Sequence, residues 1–394
     1  MANPGNPHTN KEIKYKEIYD DLCGKILNGV YKPGQKLPTE NELARHFNTS
    51  RPTVGRAMRD LQQKGFIYRR QGQGTFVRQP HHTGNKTFGI LIHWQNTPGQ
   101  VQTMSSIFGL MVPEISRYAS LFGYSLLLND IPPEPEYDPV KRAQLIAQQL
   151  IDVKIAGVFF TPLELPDELC YINDEITSAL TRAGIAVVLL DRDINNTYHR
   201  SQYDLVGINN ERAAIAVTDH LIEQGCCKID FLAESTKTTA IQERVKGYEI
   251  ALECAGLGDS DYMVHYITSK DLFKKDPQYI KQAELILDRI KNKQVEAFVC
   301  VNDSTAADLL NFLLRSNIRV PDDVRIVGFD DLPLNDYLAV PLTTVRQPIE
   351  ALAYEAVRTM IDRIEYPELP ARDIMVHTNL VVRRSSGAGN SETA

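Results

Sequence analysis

The chain has 394 residues, 43% of them hydrophobic and 24% charged, with 43 basic against 50 acidic side chains and a net charge of −7. That composition supports a sizeable folded core and excludes a disordered chain, and no apolar run reaches the ~20 residues of a membrane-spanning helix. The charge is unevenly spread: residues 1–80 carry 14 Lys and Arg against 7 Asp and Glu, the remainder 29 against 43. A small basic head on a large acidic body reads as two domains, the head facing a polyanion.

The polar stretch Met1–Asn10, rich in Asn, Pro and Gly, predicts a disordered tail over residues 1–12. From Ile13 the apolar residues Ile18, Leu22, Ile26 and Leu27 recur at helical spacing, and Asn28-Gly29 and Pro33-Gly34 mark the stop and a turn. A second helix opens at Pro38, with Thr39 as N-cap and Glu42 completing a capping box. Leu43, Ala44 and Phe47 form its buried stripe. After the Asn48-Thr49 turn, Ser50 caps a third helix whose inner face is Val54, Ala57, Met58 and Leu61. Phe66–Arg70 and Thr75–Val77 then flank Gln71-Gly72-Gln73-Gly74, two short strands around a Gly-rich tip. Helix, helix-turn-helix and hairpin in that order predict a winged helix over residues 13–78.

Side-chain positions give this head its chemistry. Ser50, Arg51, Pro52, Thr53 and Arg56 lie on the first turns of the third helix, the end that a helix-turn-helix inserts into the major groove. There Arg pairs bidentately with a guanine edge, and free helix N–H groups face phosphates. Thr39 and Glu40 belong to the same surface. At the wing, Gly72, Gln73, Gly74 and Thr75 allow close approach to a backbone or minor groove, with Arg69 and Arg70 supplying charge. The alternative is a set of ordinary surface Arg used for protein contacts; cap, turn, recognition helix and wing at the expected separations favour double-stranded DNA.

Residues 79–86, with His81-His82 but no third ligand at usable spacing, predict a linker and no metal. The body, 87–385, then alternates strands with helices. Expected strands are Phe88–His93, Tyr124–Leu128, Gly157–Thr161, Ala186–Leu190, Leu205–Ile208, Lys228–Leu232, Ala297–Val301 and Arg325–Phe329. Expected helices include Ser106–Leu121, Val140–Leu150, Asn210–Gln224, Arg244–Cys254 and Ser304–Arg315. This alternation predicts an α/β body of parallel sheets with helices on both faces, and its length predicts two lobes. Residues 386–394 are expected to be a disordered tail. Ligands of such sheets bind beyond the carboxyl ends of the strands. Trp94, Gln95, Glu164, Asp191, Arg244 and Asp303 stand at such positions. Carboxylates accept from hydroxyls, Arg donates in a fixed fork, and an aromatic face covers a sugar ring, so the mixture suits a small polyol. Asp303 also reads as a helix N-cap, and Asp330 and Asp331 as support for a turn and hinge.

Gly34–Ala44, Ser50-Arg51-Pro52-Thr53-Val54 and Gly72–Val77 make the head resemble the GntR family of bacterial transcription regulators. One departure stands out: the family usually reads Ser-Arg-x-Thr-Val-Arg, and here Gly55 replaces the second Arg, followed by Arg56. The body resembles the LacI-type effector domain, which shares its fold with type I periplasmic sugar-binding proteins. The motifs are Val206–Asn210, Glu243–Tyr248, Val301-Asn302-Asp303, Ile326–Asp331 and Pro341–Pro348. The combination is that of AraR-like repressors, which sense L-arabinose. The resemblance implies a homodimer bound to a DNA operator and released by a small sugar gripped by Arg244 and Asp303.

A regulator sensing a purine or nucleoside is the alternative. An enzyme is disfavoured, since no nucleophile–base pair or metal set has convincing spacing; no cofactor is expected. A secreted binding protein conflicts with the basic head and the lack of a signal peptide. Six Cys (23, 170, 226, 227, 254, 300) without paired CxxC spacing fit a reducing cytoplasm.

Overall fold

A computed structural model describes residues 7–27, 30–32, 34–63, 65–77, 86–91, 107–128, 139–163, 165, 169, 171–194, 200–233, 238–258, 261–266 and 277–388. These divide into two compact units, 1–88 with 116–126 and 89–115 with 127–394.

The head is built from α1 (Pro7–Leu27), α2 (Glu40–His46), α3 (Arg51–Gln63), β1 (Ile67–Arg70) and β2 (Gly74–Val77). The predicted tail is corrected: α1 begins at Pro7, six residues before Ile13, because proline suits the first helical position, where its missing N–H has no partner to lose. Ile18, Leu22, Leu43, Val54, Ala57, Met58, Leu61 and Ile67 close the three-helix core. The wing strands pair antiparallel from Ile67↔Val77 to Arg70↔Gly74. Leu37 N–H donates to Thr75 O and Val77 N–H to Gln35 O, tying residues 35–37 alongside the wing. At the tip Gly72 and Gly74 take φ of 73° and 120°, a region glycine enters without steric cost. The predicted linker, apart from Lys86, lies outside the described residues.

The body contains two six-stranded sheets. In the first lobe lie β3 (Thr87–Leu91), α4 (Ile107–Leu121), β4 (Ser125–Leu128), α5 (Pro139–Val153), β5 (Gly157–Phe160), α6 (Tyr171–Arg182), β6 (Ala186–Leu190) and β7 (Asp204–Ile208). The second holds α7 (Asn210–Glu223), β8 (Ile229–Ala233), α8 (Thr239–Cys254), β9 (Val264–Tyr266), α9 (Pro277–Lys291), β10 (Ala297–Cys300), α10 (Asp303–Arg315), β11 (Arg325–Asp330) and β12 (Thr343–Arg346). Then α11 (Ile349–Glu365) and β13 (Asp373–Val376) return to the first lobe, and β14 (Asn379–Val381) to the second. Strand orders are β13-β7-β6-β5-β3-β4 and β14-β12-β11-β10-β8-β9. The central pairs β5–β6, β6–β7, β8–β10 and β10–β11 are parallel; β14 runs antiparallel to β12.

The chain therefore crosses between lobes three times: after Ile208, between Arg346 and Ile349, and between Val376 and Asn379. A crossing by three strands makes a hinge rather than a flexible tether. Each lobe has its own core, with Val158, Phe160, Leu189 and Leu150 in the first and Phe298, Ile326, Leu309 and Leu313 in the second. The central strands β5, β7, β8 and β10 are buried on both faces, as parallel sheets between helices require, while the edge strands β4, β13 and β14 are partly exposed. Two boundaries shift from expectation. Helix α8 starts at Thr239 rather than Arg244, capped by the Thr238 hydroxyl, which accepts from Ile241 N–H. The C-terminal tail begins later: Ser386 is buried and bonds His220 Nε2 at 2.9 Å and the Thr343 hydroxyl at 2.9 Å.

Candidate DNA interface and effector cleft

On the head, the capping box forms as expected. Thr39 N–H donates to Glu42 Oε2 at 2.7 Å, and Glu42 N–H to Thr39 Oγ1 at 3.3 Å. The Thr39 bonds hold the Glu42 carboxyl below its usual range. Thr39 thus fastens the start of α2, and Glu40 beside it makes the more consequential contacts. Its carboxylate takes Arg51 Nε at 3.2 Å from α3 and Arg69 Nη2 at 2.7 Å from the wing. Recognition helix and wing are therefore joined through one acidic side chain, which aims two exposed guanidinium groups. Pro52 and Ser50 are exposed at the same helix end, and Gln73 at the wing tip.

One expected DNA contact is corrected, and a second, still exposed, is engaged within the head. Thr53 is buried and its hydroxyl sits 2.8 Å from Ser50 Oγ, so it closes the first turn of α3 instead of facing outward. Arg56 lies 4.4 Å over the Tyr15 ring of α1, because residue 56 is rotated roughly 100° from residue 55, toward the first helix. Arg70 packs over Tyr68 and Phe76 at 5.4 and 5.6 Å, flanking the wing as expected.

In the body, Trp94, Gln95 and Glu164 lie outside the described residues. Asp191 and Arg244 stand on opposite lobes, and the charge of each reaches Asp330. Asp191 follows β6 with φ of 70° and pairs with Arg192 Nε at 3.3 Å. Arg244 is buried on α8: Nε donates to Asn210 Oδ1 at 2.9 Å, Nη1 to Val301 O at 2.6 Å, and its plane stacks 3.8 Å over Phe329. Nη2 keeps no partner among the described residues. The amide of Asn210 also donates to Glu243 Oε2 at 3.2 Å, so the residue that opens α7 orients two neighbouring side chains of α8.

Asp303 does not face the cleft. It is completely buried; Oδ1 accepts from Thr344 Oγ1 at 2.6 Å, and Oδ2 from Leu332 N–H at 2.8 Å and Asn335 Nδ2 at 2.7 Å. Nor is it the N-cap, a role taken by Asn302, whose side chain accepts from Thr305 N–H. Its expected grip on an effector is corrected to a fastening of the loop after β11, since three protein donors occupy the carboxylate. Asp330, assigned from sequence to turn and hinge support, has the more open chemistry. Gln347 Nε2 donates to its Oδ1 at 2.7 Å, and its second oxygen has no partner among the described residues. Burial pushes the Asp330 carboxyl up to about 7, with Arg244 opposing and the Asp303 and Asp191 charges adding to the rise. Asp330 is thus within electrostatic reach of Arg244 on its own lobe and Asp191 on the other.

A cavity of about 380 Å³ adjoins this centre at the lobe junction, bordered by Asp191 and Arg192 on one side and Asn209, Glu211 and Glu243 on the other. That volume is within the ~300–1,000 Å³ of small-molecule sites. Burial raises the Glu243 carboxyl, with the Asp191 charge adding to it. The arrangement offers hydrogen-bond donors and acceptors across two lobes. Among the described residues, no group of three or more His, Cys, Asp or Glu could hold a metal, and no helix is long and apolar enough to cross a membrane.

Comparison with known proteins follows the same division. Residues 14–77 match bacterial regulatory proteins of the gntR family, and 218–386 match the periplasmic binding protein-like domain. The arabinose metabolism transcriptional repressor of Geobacillus stearothermophilus is 29% identical over 388 residues, covering 95% of this chain and 97% of that one. A ribose operon repressor of Halalkalibacterium halodurans is 26% identical over 373 residues, 91% of this chain and 100% of that one. Among solved structures, the transcriptional regulator CelR–cellobiose complex shares the fold with a TM-score of 0.62 at 22% identity, covering 89% of this chain and 100% of that one. The chain is a bacterial transcription regulator in which a GntR-family winged helix is joined to a periplasmic-binding-protein-like body of the LacI type.

Proposed function

We propose that the protein is a cytoplasmic, homodimeric repressor of carbohydrate-utilisation genes, acting by binding rather than catalysis, and released from its operator when a small sugar occupies the cleft. L-Arabinose is the first candidate. The observation that carries this reading is the pair Arg244 on α8 and Asp330 at the end of β11, a buried donor and acceptor, each with one unengaged atom, with the Asp191 charge of the other lobe reaching Asp330. A hydroxyl donates to a carboxylate and accepts from a guanidinium, so adjacent sugar hydroxyls satisfy both. The names of the arabinose and ribose repressors support the same effector class. A sugar touching both lobes favours one lobe arrangement, and only such unequal affinity shifts the equilibrium that positions the heads. Self-pairing is supported by the apolar side chains Ile280 and Leu285 exposed on α9 and Tyr266 on edge strand β9.

The test is calorimetric titration of the full chain with L-arabinose, other pentoses and hexoses, and purine nucleosides, beside operator binding by fluorescence anisotropy. Arg244→Ala should weaken the effector roughly ten- to a hundredfold, the loss of a hydrogen bond to a charged group of about 1.5–3 kcal/mol. It should leave effector-free operator binding unchanged. Tight binding of a nucleoside and of no sugar, or full effector affinity in the variant, would overturn the reading.

A further inference from the structure

Helix α3 carries a bare α-carbon, Gly55, where the resembling GntR motif places Arg. Glycine in a helix interior is destabilising relative to alanine, so its presence calls for a reason. Packing supplies none: a methyl-sized group built on Gly55 would meet Glu40 Oε1 and Oε2 at 3.7 and 3.8 Å and Arg59 Nη1 at 3.9 Å, all ordinary contacts. All three atoms are the far ends of flexible side chains.

The identity of those ends is informative. Arg59 stands one turn beyond Gly55, and long helical side chains lean toward the helix N-terminus over the preceding turn. Its guanidinium therefore lies back over the position that Gly55 leaves empty, toward Glu40. Arg51 and Arg69 are paired to Glu40, and Arg56 is stacked on Tyr15. Arg59 is exposed and makes no hydrogen bond or ion pair among the described residues. Glu40 is already shared by two guanidinium groups and makes no ion pair with Arg59.

We propose that Arg59, reaching over the bare Gly55, is a further base-reading residue of the recognition helix and pairs with a guanine edge in the operator. The fork of a free guanidinium matches guanine O6 and N7, and one turn of lean brings it over Gly55, one turn from Arg51. Glycine at 55 keeps that path open; a long side chain there would take the same space.

The experiment uses the full-length protein. Operator duplexes are selected from a random library by the wild type, then every base pair of a half-site is changed in turn. Arg59→Ala should lose roughly ten- to a hundredfold on the selected site and become indifferent to one G·C pair per half-site, distinct from the pair to which Arg51→Ala becomes indifferent. Arg59→Lys, which keeps the charge but not the fork, should lose the same preference while retaining the salt dependence. Gly55→Arg should alter preference at that same pair. Circular dichroism of each variant checks that the head is folded. A uniform loss on all duplexes with a flatter salt dependence would make Arg59 a phosphate contact and overturn the proposal. Unchanged affinity and preference in Arg59→Ala would overturn it equally.

Discussion

Asp330 holds its backbone at φ of 114°, and Asp331 follows at 54°, conformations that side chains other than glycine adopt only at a cost. Surrounding bonds impose them: Gln347 holds the Asp330 carboxylate, while Asp331 takes Arg346 Nε at 2.6 Å and Arg383 Nη1 at 2.8 Å. The turn is thereby fixed beside two of the three crossings. The raised Asp330 pKa has a consequence of definite sign. Its unfolded value is about 3.9 and its folded value about 7. The protonated form is thus favoured by folding, and the associated stability is present below about pH 4 and lost as pH rises through about 7. Asp330→Asn removes this dependence. Thermal melts of the effector-free protein should show the variant gaining on the wild type between pH 5 and pH 8; parallel curves across that range would contradict the burial argument.

At the level of elements, Asp303 joins three pieces of the second lobe: the start of α10, the loop after β11, and β12 through Thr344. The contact is close enough that Gly328 of β11 has no room for a side chain, since a Cβ there would fall 2.3 Å from Asp303 Oδ1. Asp303→Ala leaves an amide N–H, a carboxamide and a hydroxyl buried without acceptors, and each such orphan costs about 1–3 kcal/mol. The expected outcome is a lower denaturation midpoint of the body. Effector affinity measured below that midpoint should fall far less than in Arg244→Ala. If instead Asp303→Ala melts like the wild type and loses effector binding, the fastening role is wrong. The same logic explains why the head was easy to read: its elements are set by caps, turns and apolar spacing within a few residues of one another.

For the whole molecule, the proposal of a homodimer predicts two heads on a palindromic or near-palindromic operator, because a two-fold partner presents the same recognition helix twice. Sedimentation at micromolar concentration should give twice the 44.4 kDa chain mass. Leu285→Asp, placing a charge at an exposed apolar position of α9, should shift the protein to monomer and weaken operator binding while sparing sugar affinity. A monomer with and without DNA would count against paired heads. Coupling between cleft and heads then needs no wire of residues: a ligand that closes the three-strand hinge changes the relation of the lobes in both copies at once.

The sequence by itself determined the winged helix and the two-lobed α/β body. Those follow from periodicity, caps and glycine turns, which are local. It also placed Asp191 just after a strand, while the helix start it gave to Arg244 lies five residues earlier, at Thr239. What only the tertiary structure decided was the direction of individual side chains. Thr53 looks outward on a helix written as letters, yet it is buried against Ser50, and Arg56 stays exposed but lies over the Tyr15 ring. Asp303 and Asp330 are equivalent carboxylates in sequence; three donors contributed by Leu332, Asn335 and Thr344 close the first, and a left-handed turn opens the second. Helix α11 was not legible as part of the first lobe, because its return depends on packing against β5, β6, β7 and β13. Partners that lie tens to more than a hundred residues apart leave no local pattern, so their hydrogen bonds are fixed only when the chain is folded.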